Sequence, residues 1–200
     1  MRVFLAGLAV VLSAGMPSRA AEIASQYTEF KPDKTSCAVI ESNDDEGGSV
    51  RMVCPGWHGY PVILSAGDLR ESVFYGFPPS GEDLAWESFG PFNASGDKIE
   101  WRVETDGEKS VALATIHRWF VSDPEDDAKK TEVLVIEKVG QIGAGEGCAV
   151  GLVVATGNPK ANETARRIAD ESVRDFACGA DERVLVSGDI PLPAFDRQQN

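Results

Sequence analysis

The stretch CAVGLVVATGNPKANETARRIADESVRDFACG, residues 148–179, holds an apolar strand, an amphipathic helix and a cysteine at either end. From Cys148 to Ala155 both alternating faces are apolar, with Val150, Leu152 and Val154 on one and Ala149, Val153 and Ala155 on the other. A strand of this kind belongs in the middle of a fold, covered on both sides. Asn158 is placed to cap the following helix and Pro159 suits its first turn. Ala161, Ala165, Ile168, Ala169, Val173 and Phe176 recur at three and four residues as one apolar stripe, and Gly179 provides the stop. Glu163 with Arg167 and Asp170 with Arg174 read as outward helical pairs. The strand rises about 23 Å and a helix from Pro159 to Ala177 returns about 28 Å. Cys178 therefore comes back beside Cys148, and the two are expected to be bonded.

Upstream the pattern is that of a sheet. Ile99, Trp101 and Val103 alternate with Lys98, Glu100, Arg102 and Glu104, predicting a strand with one wet face. After a turn at Thr105–Glu108 come strands over Val111–Val121 and Thr131–Val139, with the polar Asp123–Lys130 as the loop between them. Together with Cys148–Ala155 these four strands predict an antiparallel meander with the C-terminal helix packed on one face, an α+β domain. A further strand covers Glu71–Phe77. In the first half, Ser36–Glu41 and Ser49–Cys54 flank the turn-forming Asn43–Gly48, predicting a hairpin. With Ser42 opposite Ser49, counting back sets Cys37 opposite Cys54. Of the three pairings that four cysteines allow, Cys37 with Cys54 and Cys148 with Cys178 are expected.

The first twenty residues have the layout of a cleavable export signal: Arg2, an apolar run from Val3 to Leu12, then Ser18-Arg19-Ala20. The expected division is a signal peptide over 1–20, a single domain over 21–188 and a flexible tail over 189–200. No cysteine lies near the cleavage point to take a lipid, so no stable membrane anchor is expected, and structural disulfides suit the periplasm or the extracellular space. After cleavage, 17 basic residues face 32 acidic ones, a net charge of −15. This disfavours nucleic acid as a partner, because a polyanion is repelled at long range. An envelope protein or a small ligand is compatible with it, and the sequence does not specify an oligomeric state.

Candidate sites are few. Pro55-Gly56-Trp57-His58-Gly59-Tyr60-Pro61 sets two aromatics and a histidine among turn formers, and a rigid loop of this kind can bind through Trp57, His58 and Tyr60. The competing reading is that Trp57 and Tyr60 cover one end of the core. His117, placed by alternation on the face of Val111, Leu113 and Trp119, or His58, could serve a hydrolase if a carboxylate stood beside it. Asp68 and Arg70 could pair to hold a turn. Asn43–Glu46 and Asp123–Asp127 are acidic but lack the ligand spacing of a calcium loop, and the glycines from Gly140 to Gly147 precede a strand, where a phosphate-binding loop would precede a helix. There is no G-x-S-x-G and no H-E-x-x-H, and no metal or cofactor is expected. The reading is of a non-enzymatic binding or interaction protein, with a hydrolase or a structural envelope protein as alternatives.

The elements Cys54-Pro55-Gly56, Gly59-Tyr60-Pro61-Val62, Asp68-Leu69-Arg70, Ile99-Glu100-Trp101-Arg102 and Ala161–Asp170 together resemble a group of uncharacterised exported proteins of alphaproteobacteria. The resemblance covers most of the chain after residue 20. It implies a periplasmic setting and lends no activity, ligand or catalytic residue.

Overall fold

The computed structural model describes residues 21–198 apart from 45–47, 81–83 and 145, and of Asp127 the backbone alone. The expected signal peptide lies outside these residues, as does part of the first acidic stretch. The elements in chain order are β1 (Glu22–Glu29), β2 (Ala38–Asn43), β3 (Ser49–Pro55), β4 (Pro61–Gly67), β5 (Arg70–Tyr75), β6 (Trp86–Phe89), β7 (Asn93–Asp106), β8 (Lys109–Asp123), β9 (Asp126–Lys138), β10 (Cys148–Val154), α1 (Ala161–Ser172), β11 (Val184–Val186) and β12 (Phe195–Gln198). They form a six-stranded sheet in the order β1-β7-β8-β9-β10-β11, a four-stranded sheet β2-β3-β4-β5 and a ribbon of β6 with β12.

The expected meander is β7 to β10, each antiparallel to the next. The loop expected over Asp123–Lys130 contracts to a turn at Pro124 and Glu125, because Asp123 and Asp126 accept backbone N–H groups of Glu125 and Ala128 and let β9 start early. One strand pair departs from antiparallel pairing. The helix carries the chain over the sheet and returns it as β11, parallel to β10, as a helical crossover allows.

All seven residues of β10 are buried. Against one face lies α1, whose Ala161, Ala165, Ile168 and Ala169 meet Ala114, Ile116, Leu134, Ile136, Val150 and Val153. Against the other face pack the four-stranded sheet and Phe89 of β6, through Met52, Val62, Leu64, Val73, Tyr75, Trp101, Trp119 and Leu152. Gly151 permits the close helix contact: a Cβ there would stand 2.9 Å from Ile168.

The helix is shorter than Pro159–Ala177. Asn158 caps the turn leading into it, accepting from Lys160 N–H at 3.0 Å and donating to Val154 O at 3.2 Å. Its charged residues also find different partners. Arg102 forms a bidentate pair with Asp170 at 2.8 and 2.7 Å, Arg166 holds Glu100 at 2.6 and 3.1 Å, and Arg174 pairs with Glu104. Glu100 and Arg102, expected on a wet face, are therefore buried under α1. Ser25 links them, donating to Glu100 and accepting from Arg102, each at 2.5 Å.

Both disulfides have the expected partners, Cys37–Cys54 and Cys148–Cys178. The register behind the first is corrected by one residue. Asn43 opposes Ser49 and Ser42 opposes Val50, and a bulge at Ile40 then restores Val39 opposite Met52 and Ala38 opposite Val53. The chain end expected as a loose tail pairs Phe195 with Phe89 and Gln198 with Trp86, since Phe195 stacks edge-on against Phe89.

The Cys148–Cys178 bond closes 30 residues and ties the chain after α1 to the first residue of β10. In the chain-entropy account its loss costs about 3–4 kcal/mol. Urea unfolding of a Cys148→Ala/Cys178→Ala double variant is expected to show that loss together with a higher m value, because the unbridged unfolded chain exposes more surface.

Candidate functional site

The aromatic loop is built largely inward. Residues 57–59 form one 3-10 turn, closed by Tyr60 N–H to Trp57 O at 2.9 Å and followed by Gly56 N–H to Tyr60 O at 3.0 Å. Trp57 is buried, and Tyr60 is half-buried against Phe77 and Trp101 with its hydroxyl donating to Gln141 at 3.0 Å. His58 alone of the three is exposed, at φ 46°, with its ring stacked 4.2 Å from that of Trp57. Trp57 and Tyr60 thus act as core contacts, and the surface they were expected to offer a partner reduces to one face of His58. Asp68 and Arg70 pair at 2.5 Å across the β4–β5 turn, whose central residues Asp68 and Leu69 take the positive φ that tight two-residue turns need.

His117 is fully buried. The bulge at 96–98 in β7 turns the Gly96 carbonyl inward, where it accepts the His117 Nε2 proton at 2.7 Å, and Nδ1 then accepts from the Tyr75 hydroxyl at 2.6 Å. A second bulge, between Ala112 and Ala114, moves Leu113 to the helix-side cluster, so His117 shares its face with Trp119, Val121 and Ala112. Burial lowers its pKa to about 4, against smaller opposing effects of Gly96 O and Asp97. This histidine is neutral, bonds to no carboxylate and holds the core together. His58 likewise has no hydrogen-bonded carboxylate among the described residues.

A cleft of about 730 Å³ opens where the β6–β12 ribbon and the Gly179–Val186 return meet the start of β10. Its walls are mainly apolar, from Ala149, Leu152, Phe176, Leu192 and Phe195, and Glu87, Arg183 and Arg197 stand among them. The register of β12 on β6 sets Arg197 directly opposite Glu87. Glu87 Oε2 accepts Ala149 N–H at 2.9 Å, while Oε1 lies 3.4 Å from Arg183 and 3.9 Å from Arg197. Arg183 also donates to Phe195 O at 3.2 Å and lies over the Phe195 ring. Arg197 Nε is shut off from solvent with no acceptor among the described residues.

Behind this cluster sits Glu137 of β9, almost wholly buried. Burial, reinforced by the charge of Glu87, raises its pKa well above the carboxylate range, so it is neutral. Burial also raises Glu87, opposed by Ala149 N–H, Arg197 and Arg183. The floor of the cleft thus holds at most one carboxylate charge beside two guanidiniums. A second cavity of about 680 Å³ runs along the four-stranded sheet past Val39, Met52 and Leu69. Its buried polar group Asn93 is committed to neighbouring backbone, so it leaves less to orient a ligand.

The comparisons with known proteins add no relative: no protein-family model matches the chain, and neither a curated protein nor a solved structure is significantly similar to it.

The cleft was not legible in the sequence. One signal was available: Val133, Val135 and Glu137 alternate along one strand, which puts a carboxylate on an otherwise apolar face. Nothing comparable marks Glu87, Arg183 or Arg197, which meet only when the chain end returns to β6.

Because the unfolded histidine titrates near ~6.5 and folded His117 near about 4, the unfolded chain binds the extra proton between those values. Stability from this group is complete above the upper value and is lost as pH falls toward the lower, by roughly 3 kcal/mol. His117→Gln is expected to be less stable at neutral pH but to lose about that much less on acidification, read by urea unfolding across the range.

Proposed function

We propose that the protein is an exported periplasmic binding protein, without catalytic activity, that holds a small molecule in the cleft between the ribbon and the start of β10. The observation that carries this reading is the combination of apolar walls with Glu87, Arg183 and Arg197. Ligand sites are mostly apolar clefts in which a few polar groups fix orientation, and about 730 Å³ is ample for a metabolite-sized body. Glu87 can take or release a proton but is held by Ala149 N–H and the two arginines, while the other carboxylates lining the cleft, Asp181 and Glu182, are exposed to solvent.

Export is supported by the leader-like residues 1–20, by both disulfides and by the resemblance to exported alphaproteobacterial proteins. Among the described residues no helix is long and apolar enough to cross a membrane. A binding surface that includes Trp57, His58 and Tyr60 is the competing reading, and it rests on His58, the exposed ring of the three.

Native mass spectrometry of the protein released from the periplasm is expected to show a small-molecule adduct that denaturation removes. Ala194→Trp, placed at the exposed edge of the cleft, should abolish the adduct, and His58→Ala should retain it. Loss of the adduct in the His58 variant alone would transfer the site to the aromatic loop.

A further inference from the structure

Two arginines beside one carboxylate are more than an ion pair requires. Arg183 spends one N–H on Phe195 O and one, at a long 3.4 Å, on Glu87. The Arg197 side chain makes no hydrogen bond among the described residues and only a 3.9 Å ion contact with Glu87. A guanidinium carries five N–H donors, so most of the donors at this end of the cleft are unspent. Arg197 Nε is buried without an acceptor among the described residues, which is costly, and the partly exposed forks of both guanidiniums match the oxygens of a carboxylate, sulfonate or phosphate. The charge balance agrees. Glu137 is neutral, Glu87 carries at most one negative charge, and the two arginines leave at least one positive charge in surplus. Asp181 and Glu182 also line the cleft, but both are exposed to solvent, where a high dielectric weakens their hold on the guanidiniums. Around this cationic patch the walls are Leu152, Phe176, Leu192 and Phe195.

We infer that the cleft binds an amphiphilic anion, its oxyanion head on Arg183 and Arg197 and its apolar body against Leu152, Phe176 and Leu192. The inference rests on the reading of the cleft as the binding site and names the chemical class of its ligand. Glu87 competes with the head for the same guanidiniums. An anion seated there favours the protonated Glu87 carboxyl, so binding takes up a proton and strengthens as pH falls. The charged and titratable groups facing Glu87 are Glu137 from β9, Arg183 from the segment before β11 and Arg197 from β12. Glu137 is already neutral, so the proton taken up belongs to Glu87.

Calorimetric titration of the disulfide-intact protein with octanoate, octyl phosphate, octanesulfonate, octanol and octylammonium tests this. The anions are expected to bind at least about tenfold more tightly than the alcohol, and octylammonium not measurably. Ranking of the carboxylate against the phosphate then identifies the head group. Octanesulfonate does not itself titrate, so its affinity should rise between neutral pH and about pH 5 through the protein alone. Glu87→Gln should bind it more tightly at neutral pH and flatten that rise. Arg197→Met, checked for a cooperative melt, should weaken it about ten- to a hundredfold. Equal affinity for octanol and the anions, or a preference for octylammonium, overturns the anion assignment while leaving a ligand-binding cleft. If none of the five probes binds and the native adduct is also absent, the binding reading falls with it.

Discussion

A strand buried on both faces has to be covered twice, and the rest of the molecule follows from that requirement. At about 25 cal/mol per Å² of apolar surface, leaving either side of β10 in water would cost several kcal/mol, a large part of a domain's net stability. One side is covered locally by α1, the next element in the chain. The other side needs the four-stranded sheet and the β6–β12 ribbon, whose segments come from both ends of the sequence. Each disulfide serves one side. Cys148–Cys178 ties the helical segment to β10, and Cys37–Cys54 closes the hairpin of β2 and β3.

Covering the sheet also buries charge. Under α1 the charges neutralise one another: Arg102, Asp170, Arg166 and Glu100 are paired and Ser25 bridges them. Such a network contributes little net stability but is costly to break, so it holds the helix to one position on the sheet. On the opposite side the account is incomplete. Glu87 is held by one good backbone hydrogen bond and two long arginine contacts, and Arg197 keeps its donors. The first site is closed by its own residues, and the second has binding capacity left over, which is why the functional reading belongs to the cleft.

Elements built from near neighbours were legible in the sequence. The β7–β10 meander, α1 and the Cys148–Cys178 pairing follow from periodicity and length alone. Cys37–Cys54 was also legible, although the counted register was one residue off and the bulge at Ile40 compensates for it. Features that depend on bulges or distant chain were not. His117 changed its face-mates because an extra residue in β8, Leu113, broke the alternation, and the wet face of β7 proved to lie beneath the helix. Trp57 and Tyr60 pointed inward because the turn at 57–59 folds back on Trp101 and Phe77, contacts formed from beyond the loop.

By itself the sequence determined the four strands of the β7–β10 meander, the presence of the helix, which half-cystines meet and which strand lies centrally, because each rests on a repeat of two or on 3.6 residues per turn; β1, β4, β6, β11 and β12 were not legible in it. Only the tertiary structure decided which charges are paired and which are left with spare donors. That difference depends on where Arg183 and Arg197 arrive relative to Glu87. Their arrival is set by a parallel crossover and by a chain end pairing back across more than a hundred residues, as Phe195 does with Phe89. Such contacts have no local period to announce them, because the free energy that selects them comes from burial of the whole core.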